Sequence, residues 1–238
     1  MLYLRSALFN AIMVLSVLIY APLSLLTFPL PAMVRYRFIT QWSRFHIWLV
    51  QHLCGVRYHV EGRERLPAGP AIILSKHQSA WETLAFQVIF PPHTWVLKRE
   101  LIWVPFFGWA LSVLRPIAIE RGAGRRAFDQ VIEQGRERLA AGLWVLIFPE
   151  GTRMPPRARG KYKLGGALLA EATGCPVVPV AHNAGTFWPR RGFLKYPGLI
   201  RVVIGPLIES RGRSAEEINH LAEGWIESTM QALETPRA

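Results

Sequence analysis

His77 and Glu82 stand in the run Lys76-His77-Gln78-Ser79-Ala80-Trp81-Glu82, just after the apolar stretch Ala71-Ile72-Ile73-Leu74. A strand end that feeds a helix start is where α/β folds gather their sites. An imidazole titrates near neutrality and can take a proton from a hydroxyl, and a carboxylate on its other ring nitrogen would orient it. The spacing constrains the pair. Five positions along a regular helix turn a side chain through about 140°. His77 and Glu82 therefore meet only if His77 lies ahead of the first turn, and Ser79 as N-cap puts it there. The same residues also have a purely structural reading. Ser79-Ala80-Trp81-Glu82 is a capping box, with Glu82 reaching back to the Ser79 amide and His77 an uninvolved loop residue.

Three further segments could carry chemistry. Lys98 and Arg99 open Lys98-Arg99-Glu100-Leu101-Ile102-Trp103-Val104-Pro105-Phe106-Phe107-Gly108 and could hold a phosphate; alone, the segment reads as a solvated turn beside an aromatic cluster. In Phe148-Pro149-Glu150-Gly151-Thr152-Arg153, Gly151 lets the backbone approach a ligand and Arg153 can grip a phosphate bidentately. Arg157, Arg159, Lys161 and Lys163 follow, so a basic surface loop is the competing reading. Val177-Val178-Pro179-Val180-Ala181-His182-Asn183 reads as a buried strand, with His182 a satisfied core or rim histidine. His46, His52 and His59 have no ligand set around them, so no metal is expected, and no Gly-x-Ser-x-Gly nucleophile motif is present.

The elements that must position these residues alternate as in an α/β domain. Strands are expected at Val56–Val60, Ala71–Leu74, Thr94–Leu97, Ile117–Glu120, Trp144–Phe148, Pro176–Ala181 and Leu199–Ile204. Helices are expected at Ser79–Ile89, Gly124–Ala141, Lys161–Ala172 and Ser214–Leu233, the last opened by the capping box Ser214-Ala215-Glu216-Glu217 and striped by Ile218, Leu221, Trp225 and Met230. No internal repeat or low-complexity tract interrupts the pattern.

From Ser6 to Val34 no side chain is charged. That is a run of about 29 residues, longer than the ~20 that cross a bilayer. Pro22, Pro29 and Pro31 interrupt its second half, so a helix over Ala7–Tyr20 followed by a break is expected, either as one tilted span or as a shallow hairpin. A Trp- and Phe-rich helix over Ala32–Leu53 continues from it. Residues 1–53 thus read as a membrane-associated helical segment and 54–238 as the catalytic domain. Arg35, Arg37 and Arg44 follow the apolar run against Arg5 before it, which puts the domain on the cytoplasmic side. The chain is 51% hydrophobic and carries a formal charge of +12 with nine tryptophans. That balance favours an anionic membrane surface or a phosphorylated substrate over nucleic acid. Cys54 and Cys175 fit a reducing compartment and imply no disulfide framework.

Taken in order, the four segments resemble the glycerolipid acyltransferase family that includes the 1-acyl-sn-glycerol-3-phosphate acyltransferases. Phe148–Arg153 matches its most specific block unchanged, Lys98…Leu101…Pro105…Gly108 its second, Glu120-Arg121 an acidic or polar residue before an arginine, and Val178-Pro179-Val180 its last. The likeness covers about half the chain, Ala71 to Asn183. It departs in the first block, where Glu82 replaces the usual Asp and Lys76 the common Asn. The resemblance implies a mixed α/β sheet flanked by helices, with an N-terminal hydrophobic membrane-anchoring segment. His77, oriented by Glu82, would deprotonate the free hydroxyl of 1-acyl-glycerol-3-phosphate. The alkoxide would attack the thioester of acyl-CoA or an acyl-carrier protein directly, giving phosphatidic acid with no covalent intermediate and no cofactor. Lys98, Arg153 and the Glu150-Gly151-Thr152 turn would hold the acceptor's phosphate. The partners implied are the lysophospholipid, the acyl thioester, the inner-membrane bilayer and an acyl-carrier protein, with no nucleic acid. Another lysolipid acceptor, such as a lyso-ornithine lipid, and a non-enzymatic basic membrane protein are the competing readings.

Overall fold

The structure, a computed structural model, describes residues 1–120, 122 and 124–234, Phe107 by its backbone alone. Arg121 of the Glu120-Arg121 match lies outside the described residues.

The N-terminal helix α1 (Leu2–Leu26) is longer than the proline pattern implies and keeps Pro22 inside it. A proline within a helix removes one backbone donor and crowds the preceding turn. Here the side chains of Ser24 and Thr27 donate to the carbonyls of Ala21 and Ser24, both at 2.6 Å, and stitch the last turns. The break falls instead at Thr27–Pro31, where Pro31 caps α2 (Ala32–Cys54). The two helices pair antiparallel: Tyr20 Oη donates to the Phe38 carbonyl at 2.6 Å and Trp42 Nε1 to Ser16 Oγ at 2.9 Å. α1 alone is long and apolar enough to cross a membrane. Much of the other flank of α1, including Leu4, Leu8, Leu15, Ile19 and Leu26, is exposed.

The seven strands are β1 (Val56–Glu61), β2 (Ile72–Ser75), β3 (His93–Lys98), β4 (Ile117–Ile119), β5 (Trp144–Ile147), β6 (Val177–His182) and β7 (Gly198–Ile204), in spatial order β1-β7-β6-β2-β5-β3-β4. Strands β2 to β6 are parallel, β7 runs antiparallel to β6, and β1 pairs parallel with β7, so the sheet is mixed. The parallel strands are near-continuous apolar runs because both faces are covered. Ile73, Trp95, Leu146 and Val178 pack on one side with Phe9, Val50 and Ile47 of the hairpin and Trp81 and Phe86 of α3 (Trp81–Ile89). Ile72, Leu74, Val145 and Ile147 pack on the other, with Val131 and Leu139 of α5 (Arg125–Ala140), Leu169 of α6 (Gly165–Thr173) and Ile218 and Ile226 of α8 (Ala215–Glu234).

Two boundaries and one helix face differ from expectation. α3 begins at Trp81 rather than Ser79, and α6 at Gly165 rather than Lys161. In α8 the buried stripe runs through Ile218, Ala222, Ile226, Met230 and Leu233, whereas Leu221 is exposed. The spacing of 218, 222 and 226 follows the helical repeat. The short helices α4 (Phe107–Val113) and α7 (Ala184–Phe187) carry no periodic signal and were not expected.

Candidate active site

The carboxyl ends of the five parallel strands share one edge of the sheet. The chain leaves β2 into His77, β5 into Phe148–Arg153 and β3 at Lys98, and β6 ends on His182. His77 lies in the coil before α3, and its Nδ1 stands 2.8 Å from Glu82 Oε1. Glu82 is fully buried, and the same oxygen accepts from the amides of Gln78 at 2.8 Å and Ser79 at 2.7 Å. Burial opposes the charge on Glu82. His182, the hydrogen bond from His77 and the Ser79 amide outweigh it and hold the carboxyl below its usual range. An ionised acceptor at Nδ1 fixes the proton there and leaves Nε2 as the basic nitrogen. The imidazole stacks on Phe148 with centroids 3.9 Å apart and planes 15° from parallel, so the ring has one seat.

Behind this pair His182 is fully buried, and burial lowers its pKa against the attraction of Glu82. Its Nε2 donates to the Lys76 carbonyl at 2.9 Å and its Nδ1 accepts from the Ala184 amide at 3.3 Å, so both ring nitrogens are satisfied. Lys76, also buried, directs its ammonium to Glu150 Oε1 at 2.8 Å, Glu227 Oε1 at 2.9 Å and the Ala158 carbonyl at 3.0 Å. All three of its donors are used.

That network takes in Glu150. Its carboxylate binds Lys76 and the Gly160 amide at 2.9 Å, and its other oxygen lies 3.4 Å from the His77 amide. A buried carboxylate committed to these donors braces the turn that carries Gly151 and Thr152. Gly151 sits in the left-handed region at φ 66°, and a Cβ there would come within 3.1 Å of Lys163 Nζ, so the Lys163 ammonium covers this turn. The Met154 amide donates to the His77 carbonyl at 2.7 Å and ties the segment to the base. Thr152 is exposed. Arg153 is half-buried, and its Nε finds no hydrogen-bond partner among the described residues. Burial lowers the pKa of Arg153, the Glu82 charge favours its cation, and Arg190 repels it.

Lys98 stands apart. It ends β3, two strands from β2 across β5, about 10 Å away at the usual strand spacing. Strand alternation turns it to the side of Val96, which packs against the α5–α6 layer rather than the α3 layer that holds Glu82. No hydrogen bond or ion pair among the described residues joins it to the cluster. Around it, Gly108 admits the carbonyls of Leu101 and Ile102 to within 2.4 and 2.3 Å of where a Cβ would stand. Sequence reasoning missed Arg190 and the Lys76–Glu227 link. Partners 37 and 151 positions apart leave no local signal. Lys163 was visible only as one cation in a basic run. Among the described residues no group of three or more His, Cys, Asp or Glu side chains is arranged to hold a metal ion. His46 and His52 each bond the carbonyl four residues earlier in α2, at 2.8 Å.

Comparison with known proteins agrees with this geometry. The family model described as Acyltransferase matches residues 57–183, more than half of the chain. A 1-acyl-sn-glycerol-3-phosphate acyltransferase of Pseudomonas aeruginosa is 50% identical over 95% of this chain and 90% of its own length. A chloroplastic 1-acyl-sn-glycerol-3-phosphate acyltransferase of Arabidopsis thaliana is 30% identical over 73% of this chain, which spans only 49% of that relative. The crystal structure of the 1-acyl-sn-glycerophosphate (LPA) acyltransferase from Thermotoga maritima superposes with a TM-score of 0.81, at 22% identity, over 99% of this chain and 97% of that one. It shares the fold, α1–α2 hairpin included in the matched length. With the His77–Glu82 pair and the Phe148–Arg153 turn on one sheet edge, and these matches beside them, the chain belongs to the acyltransferase family.

Proposed function

We propose that the chain transfers an acyl group from an acyl thioester, borne by coenzyme A or an acyl-carrier protein, to the free hydroxyl of 1-acyl-glycerol-3-phosphate, giving phosphatidic acid. The observation that carries the reading is the 2.8 Å contact between His77 and a buried Glu82, set beside the Phe148–Arg153 turn. The half-identical P. aeruginosa relative, whose name states this acceptor, supports the choice of lysolipid. Nε2 of His77 takes the hydroxyl proton as the oxygen bonds to the thioester carbonyl carbon. The carbon–sulfur bond then breaks, and the thiolate leaves with the proton returned from the imidazolium. Glu82 stabilises that cation, and direct transfer needs no acyl-enzyme. Arg153, Lys98 and the backbone of the Glu150-Gly151-Thr152 turn hold the acceptor's phosphate; the unpartnered Nε of Arg153 speaks most directly for this.

The exposed apolar flank of α1 favours residence in the inner membrane, with residues 1–53 as the anchor and the catalytic domain, 54–238, facing the cytoplasm. The test is thiol release from acyl-CoA with and without lysophosphatidic acid. Acceptor-dependent release with phosphatidic acid as product is expected. Release indifferent to the acceptor, or none at all, would overturn the proposal.

A further inference from the structure

Arg190 lies in the segment between α7 and β7, yet its Nη1 donates to the Arg153 carbonyl at 2.7 Å. The segment is held in place. Trp188 bonds back to Ala184 at 2.9 Å. Beyond Arg190, buried Lys195 donates to Asn10 Oδ1 of α1 at 2.7 Å and to the Phe193 carbonyl at 2.9 Å, and its ammonium lies 4.9 Å from the Trp188 ring centroid. Arg190 is exposed, in a segment whose neighbours Trp188 and Gly192 are hydrogen-bonded through their backbone amides.

The charge around it is unbalanced. No ion pair among the described residues includes Arg153, Lys163 or Arg190. By contrast Arg99, Arg115, Arg159, Arg201 and Arg213 each pair with a glutamate. Lys163 covers Gly151, Arg153 follows two residues on, and Arg190 is bonded to the backbone of Arg153. Arg190 repels the Arg153 guanidinium, which the Glu82 charge favours without an ion pair, and a doubly charged oxyanion between the two arginines relieves that repulsion while accepting their hydrogen bonds.

We infer that Arg190 is a second guanidinium, beside Arg153, for the phosphate monoester of the acceptor. This rests on the reading above, in which Arg153 meets that phosphate. Because Arg190 touches the headgroup and not the reacting hydroxyl, it acts on acceptor affinity more than on turnover. The Lys195–Asn10 bond ties the segment that presents it to α1.

The experiment uses the full-length protein in mixed micelles. It measures kcat and KM for 1-acyl-glycerol-3-phosphate, for a monoacylglycerol of the same chain, and for acyl-CoA, in wild type, Arg190→Ala, Arg190→Lys and Arg153→Ala. For Arg190→Ala the KM for the phosphorylated acceptor should rise about five- to thirtyfold, the value of one partly exposed charge-assisted bond. Its kcat should stay within about twofold, and the other two substrates should be unaffected; Arg190→Lys should recover part of the loss. An unchanged KM overturns the inference, as does an equal rise for monoacylglycerol. A rise confined to acyl-CoA also overturns it and assigns Arg190 to the donor's phosphates. If Arg153→Ala shows the phosphate-selective loss and Arg190→Ala does not, Arg190 is excluded and the reading of Arg153 stands. If only Arg190→Ala shows it, Arg153 loses its role and Arg190 keeps its own. Failure of the wild type to acylate the phosphorylated acceptor removes both.

Discussion

Nδ1 of His77 and Oε1 of Glu82 stand 2.8 Å apart because only Glu82 is in the helix. Had the helix begun one turn earlier, the two side chains would face directions about 140° apart. What holds His77 outside is the same carboxylate. Oε1 of Glu82 takes the amides of Gln78 and Ser79, the donors that a helix start leaves unpaired. The Ser79 hydroxyl takes the Trp81 amide at 3.0 Å rather than that of Glu82, so the capping box is half-formed. Capping and orientation of the base are one arrangement, not competing readings.

That arrangement separates shape from charge in Glu82→Gln. All three hydrogen bonds fall on Oε1, and buried Oε2 accepts none among the described residues. A glutamine keeps its carbonyl oxygen on those donors and loses only the charge that favours an imidazolium. Turnover should fall about 10²-fold or more, towards the loss expected for His77→Ala, while the thermal midpoint stays near that of wild type. Glu82→Asp draws the oxygen back by one methylene and should give activity between Gln and wild type. A fully active Gln variant would leave His77 working without Glu82.

Lys76 stands at a position of like structural consequence. Among the described residues it is the only cation ion-paired with two buried or nearly buried carboxylates, at 2.8 and 2.9 Å. Lys76→Met leaves them facing each other uncompensated and should cost about 3–5 kcal/mol of stability. Adding Glu227→Gln removes one of the two charges and should restore part of it. Denaturant unfolding of the single and double variants measures the coupling; additive losses would show that the three groups do not act as a unit.

How far the sequence carries the structure follows the range of the interactions. Seven strands were legible because period and β-branching are local, and the His77–Glu82 contact followed from helix geometry and a cap. The role of Glu150 was not legible. Its Lys76 partner is 74 positions away, and nothing near Glu150 shows that its carboxylate is committed inward. The extent of α1 was misjudged for a related reason. Pro22 is a local breaker, but α2 and the Ser24 and Thr27 side chains, seen only in the fold, keep the helix going.

Gly108 explains the last fixed residue of the Lys98–Gly108 block. Ala at this position would push its methyl against the Leu101 and Ile102 carbonyls, backbone atoms that cannot turn aside. Gly108→Ala should therefore shift the Arg99–Trp103 turn and α4, and lower activity more than global stability. Limited proteolysis should cut faster between 99 and 113 in the variant. A variant with wild-type activity and cleavage would show that the turn yields at little cost.

The acid limb of stability should carry the mark of buried histidines. His93 is 1% exposed and sits between the Tyr36 and Trp95 rings. Its Nδ1 donates to the Pro91 carbonyl at 2.9 Å, and its Nε2 has no partner among the described residues. Burial pushes its pKa from 6.5 down to about 4, against the weaker support of Pro91. The unfolded chain accepts a proton near pH 6.5, while the folded chain refuses it until about pH 4. Between those values the unfolded state binds more protons, so stability falls as pH falls, and the contribution is constant above and below the window. For His93 the full loss is about 3 kcal/mol. His182, also lowered by burial, adds to it in the same direction. Glu82 adds a further loss only below the ordinary carboxyl range, since its pKa is depressed. His93→Phe removes one titrating group from the upper window. Its unfolding free energy, followed by denaturant from pH 7 to pH 4, should decline less steeply than that of wild type, so the two curves converge on the acid side. Parallel curves across that range would mean that His93 takes its proton in the fold as readily as in the unfolded chain.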